Sequence, residues 1–177
     1  MIHPKSRGIG LIEMIVVICI IVVLTAMAFA NYRKGQQQLA LDRTAYKLAQ
    51  DIRRAQEMAM AAKECSACGG GVPSGGYGIY LEQGDEFYLL YADNGNGQYG
   101  AGDTQIGDDI NLERGIYISG LLPSEASISF EPPDPVTVIK DGDGLDAEEA
   151  TITIALEKDS TRTKRVIVNK AGLIYVE

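Results

Sequence analysis

Residues 9–30 carry a single charge, and it is a carboxylate, Glu13. Residues 14–30 carry none. At about 1.5 Å per helical residue those 17 residues reach roughly 25 Å, close to the hydrocarbon thickness of a bilayer, and residues 9–12 complete the crossing. The eight residues before them hold Lys5 and Arg7 and no acid. A basic flank of this kind stays cytoplasmic, so the remainder of the chain is expected outside a single-pass membrane helix. A secretory signal would place its small residue after a shorter apolar core; here Gly8 stands before the run. That order suits removal of residues 1–8 alone.

A carboxylate inside a membrane segment is costly when unpaired. Two readings of Glu13 follow. It reaches the headgroups from a helix end, or it meets a cation at the same depth. Cleavage after Gly8 would create such a cation, the α-amino group of Ile9.

The string Gly8-Ile9-Gly10-Leu11-Ile12-Glu13 resembles the processing site of type IV prepilins. The resemblance implies that prepilin peptidase cuts after Gly8 and that Ile9 becomes the N-methylated terminus. It also implies that Glu13 pairs with the terminal amine of a neighbouring subunit during filament assembly. Ile9 stands where the family usually has Phe, and Gly10 where it usually has Thr. The implied partners are other pilins or pseudopilins, the peptidase, an inner-membrane assembly platform, and lipid before assembly.

Past Ala30 the pattern becomes amphipathic. Leu41, Ala45, Leu48, Ile52, Ala55 and Ala59 recur at alternating steps of four and three, one face of a helix. The spacing predicts one helix over residues 9–63, with Gly35 as its one point of weakness. About three heptads are too few to favour a coiled coil. Beyond residue 69 the period shortens to two. Strands are expected over 77–81, 87–91, 115–121, 126–131, 150–156, 165–169 and 173–176, with a hairpin turn at Gln83-Gly84-Asp85 and another at Lys170-Ala171-Gly172. Residues 132–149, with three prolines and an acidic cluster, read as an exposed loop. The expected fold is α+β: a leader over 1–8, a long helix over 9–63 with its first part in the membrane, and a head over 64–177 built of two antiparallel sheets packed on the helix.

Two head segments resemble the GspH/FimT-type minor pilins and pseudopilins: Leu90-Tyr91-Ala92-Asp93-Asn94-Gly95-Asn96-Gly97 continuing to Gly102-Asp103 and Ile106, and the hairpin from Arg165 to Ile174. The resemblance implies a subunit of a type II secretion pseudopilus or a type IV pilus. Within that family a basic C-terminal region serves DNA uptake in some members. Lys158, Arg162, Lys164, Arg165 and Lys170 cluster in this sequence and make nucleic acid the alternative partner. The chain as a whole is acidic, with 24 acids against 16 bases and net charge −8, which argues against that alternative.

The loop from Asp93 to Asp103 offers oxygens to a hard cation. With Gly97 as the turn glycine of a calcium loop, Asn94, Asn96 and Asp103 fall at ligand positions, but Ala92 occupies the first. Asn-Gly turns account for the same composition. Asp141, Asp143, Asp146, Glu148 and Glu149 form a second acidic group with no recognised ligand geometry. Cys65 and Cys68 form a lone C-x-x-C. With the only His in the leader and Cys19 in the apolar run, zinc lacks ligands. Outside the cytoplasm a small disulfide is the expected state, with unpaired thiols as the alternative. No nucleophile–base pair or phosphate-cradling loop is present, so no enzyme is expected and no cofactor beyond the calcium alternative.

Overall fold

The computed structural model describes residues 10–132 and 136–177. One helix, α1, runs Leu11–Met60. No proline lies between Pro4 and Pro73, so nothing in the sequence removes a helical donor along its length. Leu41, Ala45, Leu48, Ile52, Ala55 and Ala59 are all fully buried, the face that the four-three spacing predicts. The helix ends where Ala62 turns into the left-handed region at φ 45°. There the Ala62 N–H donates to the Ala59 carbonyl (2.9 Å) and the Lys63 N–H to Met58 (3.1 Å), which satisfies carbonyls the last turn would leave open.

The chain divides into two compact units, one ending at Gln38 and the other Leu39–Glu177. The second unit therefore takes in the amphipathic part of α1, because the stripe from Leu41 to Ala59 supplies its core. Among the described residues ten strands follow the helix: β1 (Tyr77–Glu82), β2 (Phe87–Ala92), β3 (Thr104–Gln105), β4 (Ile110–Asn111), β5 (Ile116–Leu122), β6 (Glu125–Glu131), β7 (Val136–Lys140), β8 (Glu149–Leu156), β9 (Asp159–Asn169) and β10 (Ile174–Val176). They form antiparallel sheets. One has the order β3-β2-β1-β6-β7, with β4 also on β2; the other has the order β10-β9-β8-β5.

Period-two alternation sends one side of each strand to a common core. Tyr77, Ile79 and Leu81 of β1, Tyr88 and Leu90 of β2, and Ile128 and Phe130 of β6 join the helix stripe there. Ile118, Ile152, Ile154, Val166 and Val168 of the other sheet belong to the same cluster. Two tyrosine hydroxyls reach across it: Tyr88 donates to the Asp51 carboxylate of α1 (2.5 Å), and Tyr77 to the carbonyl of Lys63, just past the helix end (2.7 Å).

The opposite face of β1 and β2 is also covered. Tyr99 packs against Tyr80 (ring centroids 5.0 Å apart) and Tyr91 (5.2 Å), and its N–H donates to the Ser127 hydroxyl (3.0 Å). Gly78 leaves room for this layer, since a Cβ there would stand 2.7 Å from the Tyr91 ring.

Three features depart from the sequence reading. The expected loop over 132–149 contains β7, whose Val136-Thr137-Val138-Ile139-Lys140 pairs residue by residue with β6. Strand β9 begins at Asp159, six residues before the expected start, because pairing with β8 extends through a polar stretch. The two short strands β3 and β4 lie in a segment expected to be irregular.

Burial, first of all, and then the bond to Asp51 push the Tyr88 phenol well above its ordinary value of about 10. A group whose folded pKa is raised contributes stability that is complete below its unfolded pKa and is lost as pH rises beyond it. The chain should lose stability above about pH 10. Tyr88→Phe should cost about 1.5–3 kcal/mol at neutral pH, the worth of a hydrogen bond to a charged group. It should also flatten the alkaline loss, as followed by denaturant unfolding at a series of pH values. An unchanged alkaline slope in the variant would contradict the assignment.

Candidate functional site

The segment Leu11–Phe29 has mean hydropathy 2.9, and none of it is buried within the structure. It is the one helical segment among the described residues long and apolar enough to cross a membrane. Leu11, Ile12, Val16, Val17, Ile20 and Ile21, spaced around the whole circumference at about 100° per residue, are each about half exposed or more, so apolar side chains point in every direction around the axis. A helix apolar all round needs lipid or other protein as its surroundings. The Thr25 hydroxyl donates to the Ile21 carbonyl (2.7 Å), so this polar group is satisfied within the helix.

Glu13 is in the first turn of α1. The N–H groups of Glu13 and Met14 both donate to the Gly10 carbonyl, at 3.0 and 3.3 Å. The side chain of Glu13 is exposed. The first base after it in the chain is Arg33, so any cation partner at its depth must come from outside this part of the helix. Gly8 and Ile9, the residues expected to flank the cut, lie outside the described residues.

Cys65 and Cys68 are joined in a disulfide. Cys65 is buried in the core cluster and Cys68 is exposed. Cys65 caps a short 3-10 turn, Ser66–Cys68, and its sulfur accepts the Cys68 N–H (3.1 Å). The Cys65 N–H donates to the Gly71 carbonyl (2.8 Å) and the Gly70 N–H to the Cys65 carbonyl (3.1 Å). These backbone bonds hold the loop independently of the sulfur bridge.

The candidate calcium residues are arranged differently from a ligand sphere. Asp103 accepts the N–H of Asn94 on one oxygen (2.9 Å) and of Gly100 on the other (2.7 Å). The Asn96 side-chain oxygen accepts the Gln98 N–H (3.0 Å). Asp93, one place off the calcium template, is the organising residue. It is 1 % exposed, and its carboxylate accepts from Gly95 (2.9 Å), Asn96 (3.2 Å) and Gly97 (2.8 Å). The signal was present in sequence as an Asp opening an Asn-Gly-Asn-Gly string, the pattern of a side chain bonding its own following backbone.

The second acidic group is dispersed. Asp141 accepts the N–H groups of Asp143 and Leu145, Asp146 faces Lys140 (3.6 Å), and Glu148 faces Lys170 (2.7 Å). Among the described residues no group of three or more Asp, Glu, His or Cys side chains is placed to hold a metal ion.

The five basic residues do not form one surface. Alternation along β9 puts Lys164 and Arg162 on the side of the core residues Val166 and Val168, and Arg165 on the other. Lys164 faces Asp42 (3.4 Å), Arg162 Asp159 (3.2 Å), Arg165 Glu177 (2.8 Å) and Lys170 Glu148. Hydrogen bonding to Glu148 holds the Lys170 ammonium above its ordinary range. Lys158 is exposed between β8 and β9. Four of the five thus have a carboxylate beside them, the reverse of a surface built to neutralise phosphates.

The chain matches no protein-family model, no curated protein and no solved structure.

The disulfide closes a loop of four residues, for which loop-closure entropy gives about 2 kcal/mol of stability. Reduction should therefore lower the unfolding free energy by about that amount while the core-held Cys65 keeps its place. Denaturant titration of the oxidised and reduced full-length protein in detergent measures it. Collapse of the β-rich unit on reduction would contradict the independent backbone closure of the loop.

Proposed function

We propose that this chain is a structural subunit of a type IV pilin-like filament, a minor pilin or pseudopilin of the GspH/FimT type. One observation carries the reading. The first part of α1 presents an apolar surface broken by a single carboxylate in its first turn, and later turns of the same helix build the core of a β-rich unit. Such a helix suits a subunit held first by lipid and then by the helices of its neighbours. Before assembly it spans the inner membrane once, with the head on the far side from the cytoplasm.

In this reading prepilin peptidase removes residues 1–8. The freed amine of Ile9 in one subunit and Glu13 of its neighbour then neutralise each other where no water can. The pairing explains why a carboxylate is retained at a position where any apolar residue would be less costly in the membrane. A pseudopilus of type II secretion and a type IV pilus both use such a subunit. The dispersed and carboxylate-paired bases of β9 favour a structural role over DNA capture.

Processing is tested by mass spectrometry of the protein extracted from membranes of cells with active prepilin peptidase. The expected mature chain starts at Ile9, and replacing Gly8 by a bulky residue should leave the precursor uncut. A chain retaining residues 1–8 in those cells would overturn the reading.

A further inference from the structure

Two Asn-Gly pairs, Asn94-Gly95 and Asn96-Gly97, follow Asp93 directly, and both asparagines are exposed. Asn-Gly is chemically labile because glycine offers no side chain to impede attack of its own backbone nitrogen on the preceding side-chain amide. In that reaction the glycine N–H loses its proton to hydroxide and the nitrogen bonds to the asparagine Cγ. Ammonia leaves with the proton that completes it, and a five-membered succinimide remains. Water then opens the ring to aspartate or isoaspartate.

Both of the nitrogens that would attack are committed elsewhere. The Gly95 N–H donates to one oxygen of Asp93 (2.9 Å) and the Gly97 N–H to the other (2.8 Å). The intervening Asn96 N–H shares the first oxygen (3.2 Å). The carboxylate is buried and is itself anchored through its backbone, where the Asp93 N–H donates to Gly76 (3.0 Å) and its carbonyl accepts from Gly75 (3.1 Å). Attack would require the hydrogen bond to break and negative charge to develop on a nitrogen already facing a carboxylate.

We propose that this loop is a latent deamidation site and that Asp93 is the residue that keeps it silent. One buried carboxylate restrains two separate Asn-Gly pairs by holding the attacking nitrogen of each. The consequence of failure is structural as well as chemical. Gly97 packs where a Cβ would stand 2.8 Å from Val138, and Tyr99 two residues on fills the space between Tyr80 and Tyr91. An isoaspartate at position 96 lengthens the backbone next to that contact and adds a charge beside Asp93 and Asp103, so the covering layer would lift from β1 and β2.

The test is peptide mapping by mass spectrometry of the full-length protein in detergent, incubated in mildly alkaline buffer and scored for aspartate and isoaspartate at positions 94 and 96. Wild-type protein should deamidate at both sites on the order of tenfold or more slowly than the same protein unfolded in denaturant, the rate effect expected from one charge-assisted hydrogen bond. Asp93→Ala should bring the native rate close to the unfolded one. Asp103→Asn, which alters the partner of Asn94 and Gly100 but of neither attacking nitrogen, should stay near wild type. So should Tyr88→Phe, which weakens the fold at a distance. Equal rates in native and unfolded wild type would overturn the proposal, and so would rates raised equally in all three variants. If Asp93→Ala does not fold, Asp93→Asn decides: it keeps an accepting oxygen but loses the charge, and native rates at positions 94 and 96 no faster than wild type would overturn the proposal.

Discussion

The β-rich unit depends on the burial of one helical stripe. Leu41, Leu48 and Ile52, with the alanines between them, give the strands of both sheets a common surface, and each sheet sends one side of its strands to it. Without that stripe the apolar sides of the sheets would have no helical partner in the core. The stripe belongs to the same helix whose first turns are apolar on every side. A single element thus carries two different surfaces: one apolar face against protein near its C-terminal end, and apolar side chains on every side near its start.

Polar groups around the core are handled by short, local commitments. Tyr77 closes on the backbone that leaves the helix, and Tyr88 closes on Asp51 of the helix itself. Asp93 gathers three consecutive N–H groups, and Asp103 two more, so a loop of eleven residues is held by two side chains. The loop can then cover the outer side of β1 and β2, where Tyr99 packs between two other tyrosines. Carboxylates that read in sequence as candidate cation ligands accept backbone N–H groups here.

The helix was legible because its buried positions keep one strict spacing, and most strands because alternation of apolar and polar residues survives to the level of single residues. β7 was hidden by its neighbours: Pro132, Pro133 and Pro135 and the acids after Lys140 outweigh five residues of strand character. Proline next to a strand that lies at the end of a sheet removes no ladder bond, so the two are compatible. The basic residues 158–170 are close in sequence but separate in the fold. Closeness along the chain reads as a patch, but a strand turns successive side chains to opposite sides, and the carboxylates that meet them, Asp42, Glu148 and Glu177, come from distant parts of the sequence. Asp93 was missed by one register step, since a metal template fits composition while its role is set by the three N–H groups that follow it.

In the proposed filament role, Glu13 is retained for assembly. This is tested most directly by expressing Glu13→Gln in cells that build the filament and comparing sheared filaments with the membrane fraction. In that role the variant is processed and remains in the membrane with its β-rich unit as stable as wild type, yet is absent from the filament fraction. Incorporation of the variant at the wild-type level would contradict it.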